Sequence, residues 1–212
     1  MAVPGILISF EGSEGCGKST QIGLLRTRLQ EQGRRVELMR EPGGTVIGEK
    51  IRHLLQHAPE GASMTAEAEL LLFAASRAQL VREKIRPLLA EGTVVLLDRF
   101  LDSTTVYQGI ARGLPQESVS AINAFAVGGL LPDLTFLLDM DAATAHQRIA
   151  QAGRDLDRIE SQPLAFFEKV RQGYLAVAAT QPERIHILDA TQAPDLIHQH
   201  ICGLITARLH AL

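Results

Sequence analysis

The chain has 212 residues, 46% of them apolar and 21% charged, with a formal net charge of −3. That is room for one domain with a sizeable core, and the composition excludes a disordered chain. With no basic excess the chain is not expected to grip a nucleic-acid backbone, and two distant cysteines, Cys16 and Cys202, argue against a disulfide framework or a zinc site.

In chain order, Gly5–Phe10 reads as a buried strand and Gly17–Gln32 as a helix ended by Gly33. Val36–Met39 reads as a second strand, and Thr45–Gln56 as a helix. A long helical pattern runs over Thr65–Ala90, where Pro87 is expected to kink or end the last turn. Thr93–Leu97, Leu134–Leu138 and Arg184–Leu188 read as further strands. Ala142–Ala152, Pro163–Thr180 and Pro194–Leu212 read as helices, and the charged stretch Gly153–Gln162 as an irregular excursion. Runs that are apolar throughout indicate strands covered on both faces, hence a parallel sheet, and the βαβα alternation agrees. The expected fold is α/β: a three-layer sandwich of the P-loop NTPase type with five parallel strands in the centre and helices on both faces. No linker or repeat divides residues 1–212, which are expected to form a single domain. No run is long enough to span a membrane, and Ile6 to Phe10 is too short for a signal sequence, so a cytoplasmic enzyme or switch is expected.

Gly12-Ser13-Glu14-Gly15-Cys16-Gly17-Lys18-Ser19 fits G-x-x-x-x-G-K-[ST], with a strand before it and a helix after it. Glycines let successive backbone N–H groups turn inward on phosphate oxygens, and the helix N-terminus adds its positive end. Lys18 then reaches the β- and γ-phosphates of ATP, and the Ser19 hydroxyl can ligate Mg²⁺. Cys16 reads as a small residue that fits the loop. The chain has no N-K-x-D base-reading motif and no L-S-G-G-Q motif, and Asp98 is followed by Arg99 rather than by a glutamate. A phosphotransferase is the class that remains. Rival readings are a kinase for another nucleotide or a nucleoside, and a non-catalytic nucleotide switch.

Four further clusters follow in order: Arg40-Glu41-Pro42-Gly43-Gly44-Thr45, Phe73-Ala74-Ala75-Ser76-Arg77, Asp98-Arg99-Phe100 and Leu156-Asp157-Arg158-Ile159-Glu160. With the P-loop they give nearly the whole chain a resemblance to thymidylate kinases. The resemblance implies transfer of the γ-phosphate of ATP-Mg²⁺ to dTMP, no nucleic-acid or membrane partner, and a homodimer. Phe73 and Arg77 lie four apart and share a helix face. A ring there can stack on a base, and a donor-only arginine suits thymine O4 and rejects the amino group of cytosine. On the residues alone, Phe73 reads sooner as core and Arg77 as a solvated face; the resemblance reverses both in favour of the substrate. It places the acceptor phosphate on Arg99 and Arg40, whose planar forks suit phosphate. Taken alone, Arg40 reads as well as an ion pair at a strand end. Asp98 is expected to hold Mg²⁺ through water, or to cap a turn. The resemblance further implies Glu14 at the sugar 3′-hydroxyl, Tyr107 crowding the 2′ position, and Thr104 and Gln108 at the substrate. Gly12 to Ser19, Thr20 and Arg148 are expected on ATP.

The acceptor is already an ionised phosphate, so catalysis needs alignment and charge neutralisation rather than a base. Gly15 stands where one branch of the family carries an arginine. The chain therefore resembles the bacterial branch whose basic residues sit in a lid, here about 153–162. Arg154 and Arg158 are the lid candidates, Arg158 reading alternatively as a salt bridge with Asp157 or Glu160.

Overall fold

The computed structural model describes residues 5–151, 153 and 156–210. Five parallel strands form one sheet: β1 (Ile6–Glu11), β2 (Val36–Arg40), β3 (Val94–Asp98), β4 (Leu134–Asp139) and β5 (Ile185–Asp189), in the order β2-β3-β1-β4-β5. Register pairs Ile8 with both Leu96 and Leu134, which places β1 at the centre. The central strands are buried along both faces, whereas β2 and β5 at the edges keep only Val36, Ile185 and Leu188 buried.

The period of two splits the core. Ile6, Ile8, Phe10, Val94, Leu96 and Phe136 face α1 (Lys18–Glu31) and the final helix α9 (Pro194–His210), through Ile22, Leu25, Leu29, Ile201 and Ile205. Leu7, Val95 and Leu97 face the other way, onto Leu80, Ile85 and Phe100. Leu137 and Ile185 pack beneath Phe166, Phe167, Val170 and Tyr174 of α8 (Leu164–Thr180). The sheet is thus covered on both faces, the expected three-layer α/β arrangement. Burying one such aliphatic side chain contributes roughly 1.5–3 kcal/mol, so these layers set the position of every strand end.

The expected helix Thr65–Ala90 is one path with three geometries. α3 (Ala66–Leu80) is capped by the Thr65 hydroxyl, a π-helical turn covers Val81–Ile85, and α4 (Arg86–Ala90) follows. Pro87 neither ends nor breaks it, because it falls in the first turn after the widened stretch, where a missing N–H costs least. The other helices are α2 (Val46–Gln56), α5 (Leu101–Thr104), α6 (Gln116–Val127) and α7 (Ala142–Gln151). The sequence reading assigned nothing between Phe100 and Leu134. The structure fills that span with α5, a second π-helical stretch over Thr105–Ala111, and α6.

A candidate phosphoryl-transfer cleft

At the carboxyl end of β1 the chain turns into α1 with positive φ at Gly12, Gly15 and Gly17. A Cβ at Gly12 would stand 2.5 Å from the Leu138 carbonyl oxygen, and one at Gly15 2.7 Å from that of Ala145. The loop therefore lies directly on β4 and α7, too close for any side chain at either position. Lys18 turns back into it: Nζ donates to the carbonyls of Ser13 (2.8 Å) and Gly12 (3.2 Å) and stands 3.7 Å from Glu14 Oε2. Burial and Arg99 work against its charge, but Cys16, Glu14 and Asp98 more than compensate and hold its pKa above the ordinary lysine value. Cys16 is buried beneath the loop.

The loop forms one wall of a cleft of about 510 Å³ at the carboxyl ends of the strands, where open α/β sheets bind ligands. Glu14, Gly15, Gly17, Lys18, Ser19 and Thr20 line it. Arg40 lines it from the end of β2, and Asp98 and Arg99 from the end of β3. Thr104, Tyr107 and Gln108 line it from α5 and the π-helical stretch, Phe73 from α3 and Arg148 from α7. Thus side chains far apart in sequence meet because five parallel strands end together.

Arg99 has φ 69, the only positive φ of a non-glycine among the described residues. Strain of this kind persists where the surroundings over-determine a residue. Its Nη1 donates to the hydroxyls of Tyr174 (3.1 Å) and Ser103 (3.2 Å), its Nη2 to Glu14 Oε1, and its guanidinium lies 5.2 Å from the centre of the Tyr107 ring. Burial opposes its charge, but Tyr107, Glu14, Tyr174 and Asp98 hold its pKa well above the ordinary value. The Tyr107 hydroxyl is buried at the cleft with no hydrogen-bond partner among the described residues, and burial pushes its pKa up.

Several expected contacts fall elsewhere. Arg77 is buried at 1% exposure and backs the cleft rather than lining it. It donates to Glu41 (2.7 Å), Asn123 (2.8 Å), Thr104 Oγ1 (2.9 Å) and the Phe100 carbonyl (3.2 Å). Arg40, half-exposed, pairs with Glu49 of α2 at 3.0 Å. Arg158 does not line the cleft, nor does it pair with Asp157 or Glu160. Its Nε donates to the Leu55 carbonyl (2.8 Å) and its Nη2 to Glu69 (2.5 Å). Arg154 lies outside the described residues, as does part of the 153–162 segment. Gly12, Ser13 and Cys16 belong to the loop but do not line the cleft.

The sequence reading missed Arg52 and Gln56, which line the cleft from α2, and Ser103 from α5. Arg52 and Gln56 are four apart on the helix that follows the Arg40–Thr45 motif, and that spacing was the signal available. Arg52 donates to the Pro42 carbonyl at 3.0 Å. Burial and the nearby Arg40 lower its pKa below the arginine norm. Arg40 and Arg52 side by side make this corner attractive to an anion.

For Mg²⁺, the cleft offers Ser19 and Asp98, oxygen donors of the hard type the ion takes. Among the described residues no cluster of three or more metal-ligating side chains exists. That donor set fits an ion held mainly by nucleotide phosphates and water, not one caged by protein.

The family described as Thymidylate kinase matches residues 10–201 of this chain. The thymidylate kinase of Chlorobium chlorochromatii (strain CaD3) is 47% identical over 96% of each chain. That of Pseudomonas putida (strain GB-1) is 48% identical over 95% of each. The crystal structure of thymidylate kinase from Ehrlichia chaffeensis superposes with a TM-score of 0.78 at 30% identity, covering 96% of this chain and 99% of that one.

Proposed function

This chain belongs to the thymidylate kinase family and converts dTMP to dTDP at the expense of ATP, and from that premise we propose how the cleft divides the work. ATP lies along the P-loop, with its phosphates on the loop backbone where it lines the cleft, from Glu14 to Thr20, and on Lys18. Its base lies toward Arg148, whose Nη1 is 3.4 Å from the Ala190 carbonyl. Ser19 and, through water, Asp98 would hold Mg²⁺, which would supply charge neutralisation at the phosphates. The dTMP phosphate sits on Arg99, with Arg40 and Arg52 at the same wall. Phe73 faces the base, and Tyr107 crowds the 2′ position. Thr104 and Gln108 meet the polar edge of the base. Thr104 Oγ1 accepts from Arg77, so its own proton is directed away from Arg77 and can be given to a thymine carbonyl. Arg77 thereby acts on base choice from behind the wall.

The observation that carries this reading is the contact of Glu14 with both Lys18 and Arg99 at the middle of the cleft. One carboxylate spans the donor-side lysine and the acceptor-side arginine, so two phosphates bound to those cations are brought together for in-line transfer. Glu14 also lies where a sugar hydroxyl can displace it from Arg99. The whole chain acts as one P-loop domain whose lid, about 153–162, shuts out water and brings Arg154 to the phosphates. We take the enzyme to be a cytoplasmic homodimer of the bacterial type; exposed Leu71 of α3 and Phe125 of α6 are apolar groups that a partner would cover.

The test is ADP release from ATP-Mg²⁺ with dTMP, dUMP, dCMP, dGMP or thymidine as acceptor. Fast release with dTMP, weaker with dUMP and none with the others is expected. Equal turnover of dCMP and dTMP would overturn the roles of Thr104 and Arg77.

A further inference from the structure

Behind Arg99 lies a buried group that the transfer chemistry does not use. Glu11, at the end of β1, is 1% exposed. Its Oε1 accepts from the backbone N–H of Phe100 at 2.8 Å. Its Oε2 lies 2.6 Å from Ser103 Oγ and 2.8 Å from the Tyr174 hydroxyl, and those two hydroxyls are 2.8 Å from each other. Three oxygens thus form a triangle, each edge at a normal O–H···O distance. Arg99 Nη1 donates to both hydroxyls from outside it.

Counting protons decides the state of this triangle. Each hydroxyl carries one proton. With Glu11 ionised, two protons must serve three edges, and both go to the carboxylate. The edge between Ser103 and Tyr174 then sets lone pair against lone pair. With Glu11 neutral, a third proton is present on Oε2 and each edge holds one. Ser103 and Tyr174 still have lone pairs for Arg99, and Glu11 carries no charge to cancel that of the guanidinium.

We propose that Glu11, acting as a neutral acid through Ser103 and Tyr174, is the positioning residue that aims Arg99 and keeps its charge available to the acceptor phosphate. The inference rests on the reading of Arg99 as the ligand of that phosphate. The surroundings agree. Burial, and next Asp102, raise the Glu11 pKa to about 7, against the opposing pull of Arg99, Ser103 and Tyr174. Asp102 on α5 is itself paired with Arg184, through bonds of 2.7 and 2.8 Å. α8, which carries Tyr174, follows the lid segment directly in the chain, so it ties the far side of the cleft to β1 and Arg99.

Three variants test it, each assayed with dTMP varied at saturating ATP and ATP varied at saturating dTMP. Tyr174→Phe keeps the ring but opens the triangle. It is expected to lower kcat/KM for dTMP roughly tenfold, the usual worth of a hydrogen bond to a charged group, while the KM for ATP stays put. Glu11→Ala is expected to do the same, and Glu11→Gln, whose amide oxygen accepts from the Phe100 N–H and whose amide nitrogen donates to both hydroxyls, to restore most of the loss. From pH 6 to 8.5 the KM for dTMP of the wild type is expected to rise relative to that of Glu11→Gln. Thermal unfolding gives a readout apart from turnover. A carboxyl whose folded pKa is raised above its unfolded value destabilises the fold progressively as pH rises from about 4.5 through about 7. Glu11→Gln should therefore gain Tm on the wild type at pH 8 compared with pH 5.5.

Parallel pH profiles for wild type and Glu11→Gln, or an unchanged kcat/KM for dTMP in Tyr174→Phe, would overturn the proposal while Arg99 kept its role. If Arg99→Ala itself left kcat/KM for dTMP unchanged, the reading of Arg99 would fall and this inference with it.

Discussion

Two arginine clusters, one at the cleft and one beside it, are built in opposite senses. Arg99 is surrounded by hydroxyls and a tyrosine ring, with Glu14, a half-buried group, as its salt-bridge carboxylate. Arg158 and Arg112 converge on one carboxylate, Glu69, which is 2% exposed and also accepts from Gln108 at 2.8 Å. Burial would raise the Glu69 pKa, but Gln108 and the two arginines lower it, so this carboxylate stays ionised and the cluster is nearly complete in itself. The first cluster leaves positive charge facing a cavity, which suits a phosphate. The second uses its charge to tie the lid segment to α3 and to the end of the π-helical stretch. A motif in the sequence tells which residues are arginines, but not which of these two settings each one enters.

The sharpest way to break the comparison is Arg99→Ala. Loss of a charge-assisted, bidentate phosphate contact should cost on the order of 10³-fold in kcat/KM for dTMP, with little change in the KM for ATP. Steady-state kinetics with each substrate varied would show it. A loss shared equally between the two substrates would mean that Arg99 supports the fold of the cleft and not the acceptor. The backbone offers a second check. Because residue 99 has φ 69, Arg99→Gly should be more stable than Arg99→Ala by roughly 1 kcal/mol in urea unfolding.

Next in size is Glu41→Gln. Glu41 and Arg77 form a pair with 3% and 1% side-chain exposure, and burial raises the Glu41 pKa even against Arg77. Removing one partner strands the other charge in the interior, so a loss of about 3 kcal/mol is expected in urea unfolding. A change below 1 kcal/mol would show that water or a rearranged Asn123 takes over the compensation.

How far the sequence carries can be read from these same residues. The P-loop was legible because its requirements are local: glycines, a lysine, a strand before and a helix after. The sheet was legible because unbroken apolar runs have few other uses. Phe73 and Arg77 share a helix face, yet Phe73 lines the cleft and Arg77 does not. The reason is non-local: Glu41 and Asn123, 36 and 46 residues away, draw the guanidinium inward. The π-helical stretch over Thr105–Ala111 was invisible because a period of two or 3.6 is all that hydrophobic patterning tests. That stretch carries Tyr107 and Gln108, so part of the cleft depends on geometry no pattern announced.

The smallest expected effect concerns Arg158, and it bears directly on the contrast between the two clusters. If Arg158 serves by anchoring, Arg158→Ala and Glu69→Gln act on one contact and their effects should not add. Each should lower kcat by no more than about tenfold, and the double variant should be no worse than the more impaired single one. If instead Arg158 leaves Glu69 on lid closure to meet the transferring phosphoryl group, Glu69→Gln would free it and cost little. Arg158→Ala would then cost far more. The double-mutant cycle in kcat separates the two, because an anchor gives a large coupling energy while a mobile catalytic arginine gives a small one with very unequal single effects. The present geometry, with Arg158 held by both Leu55 and Glu69, predicts the large coupling.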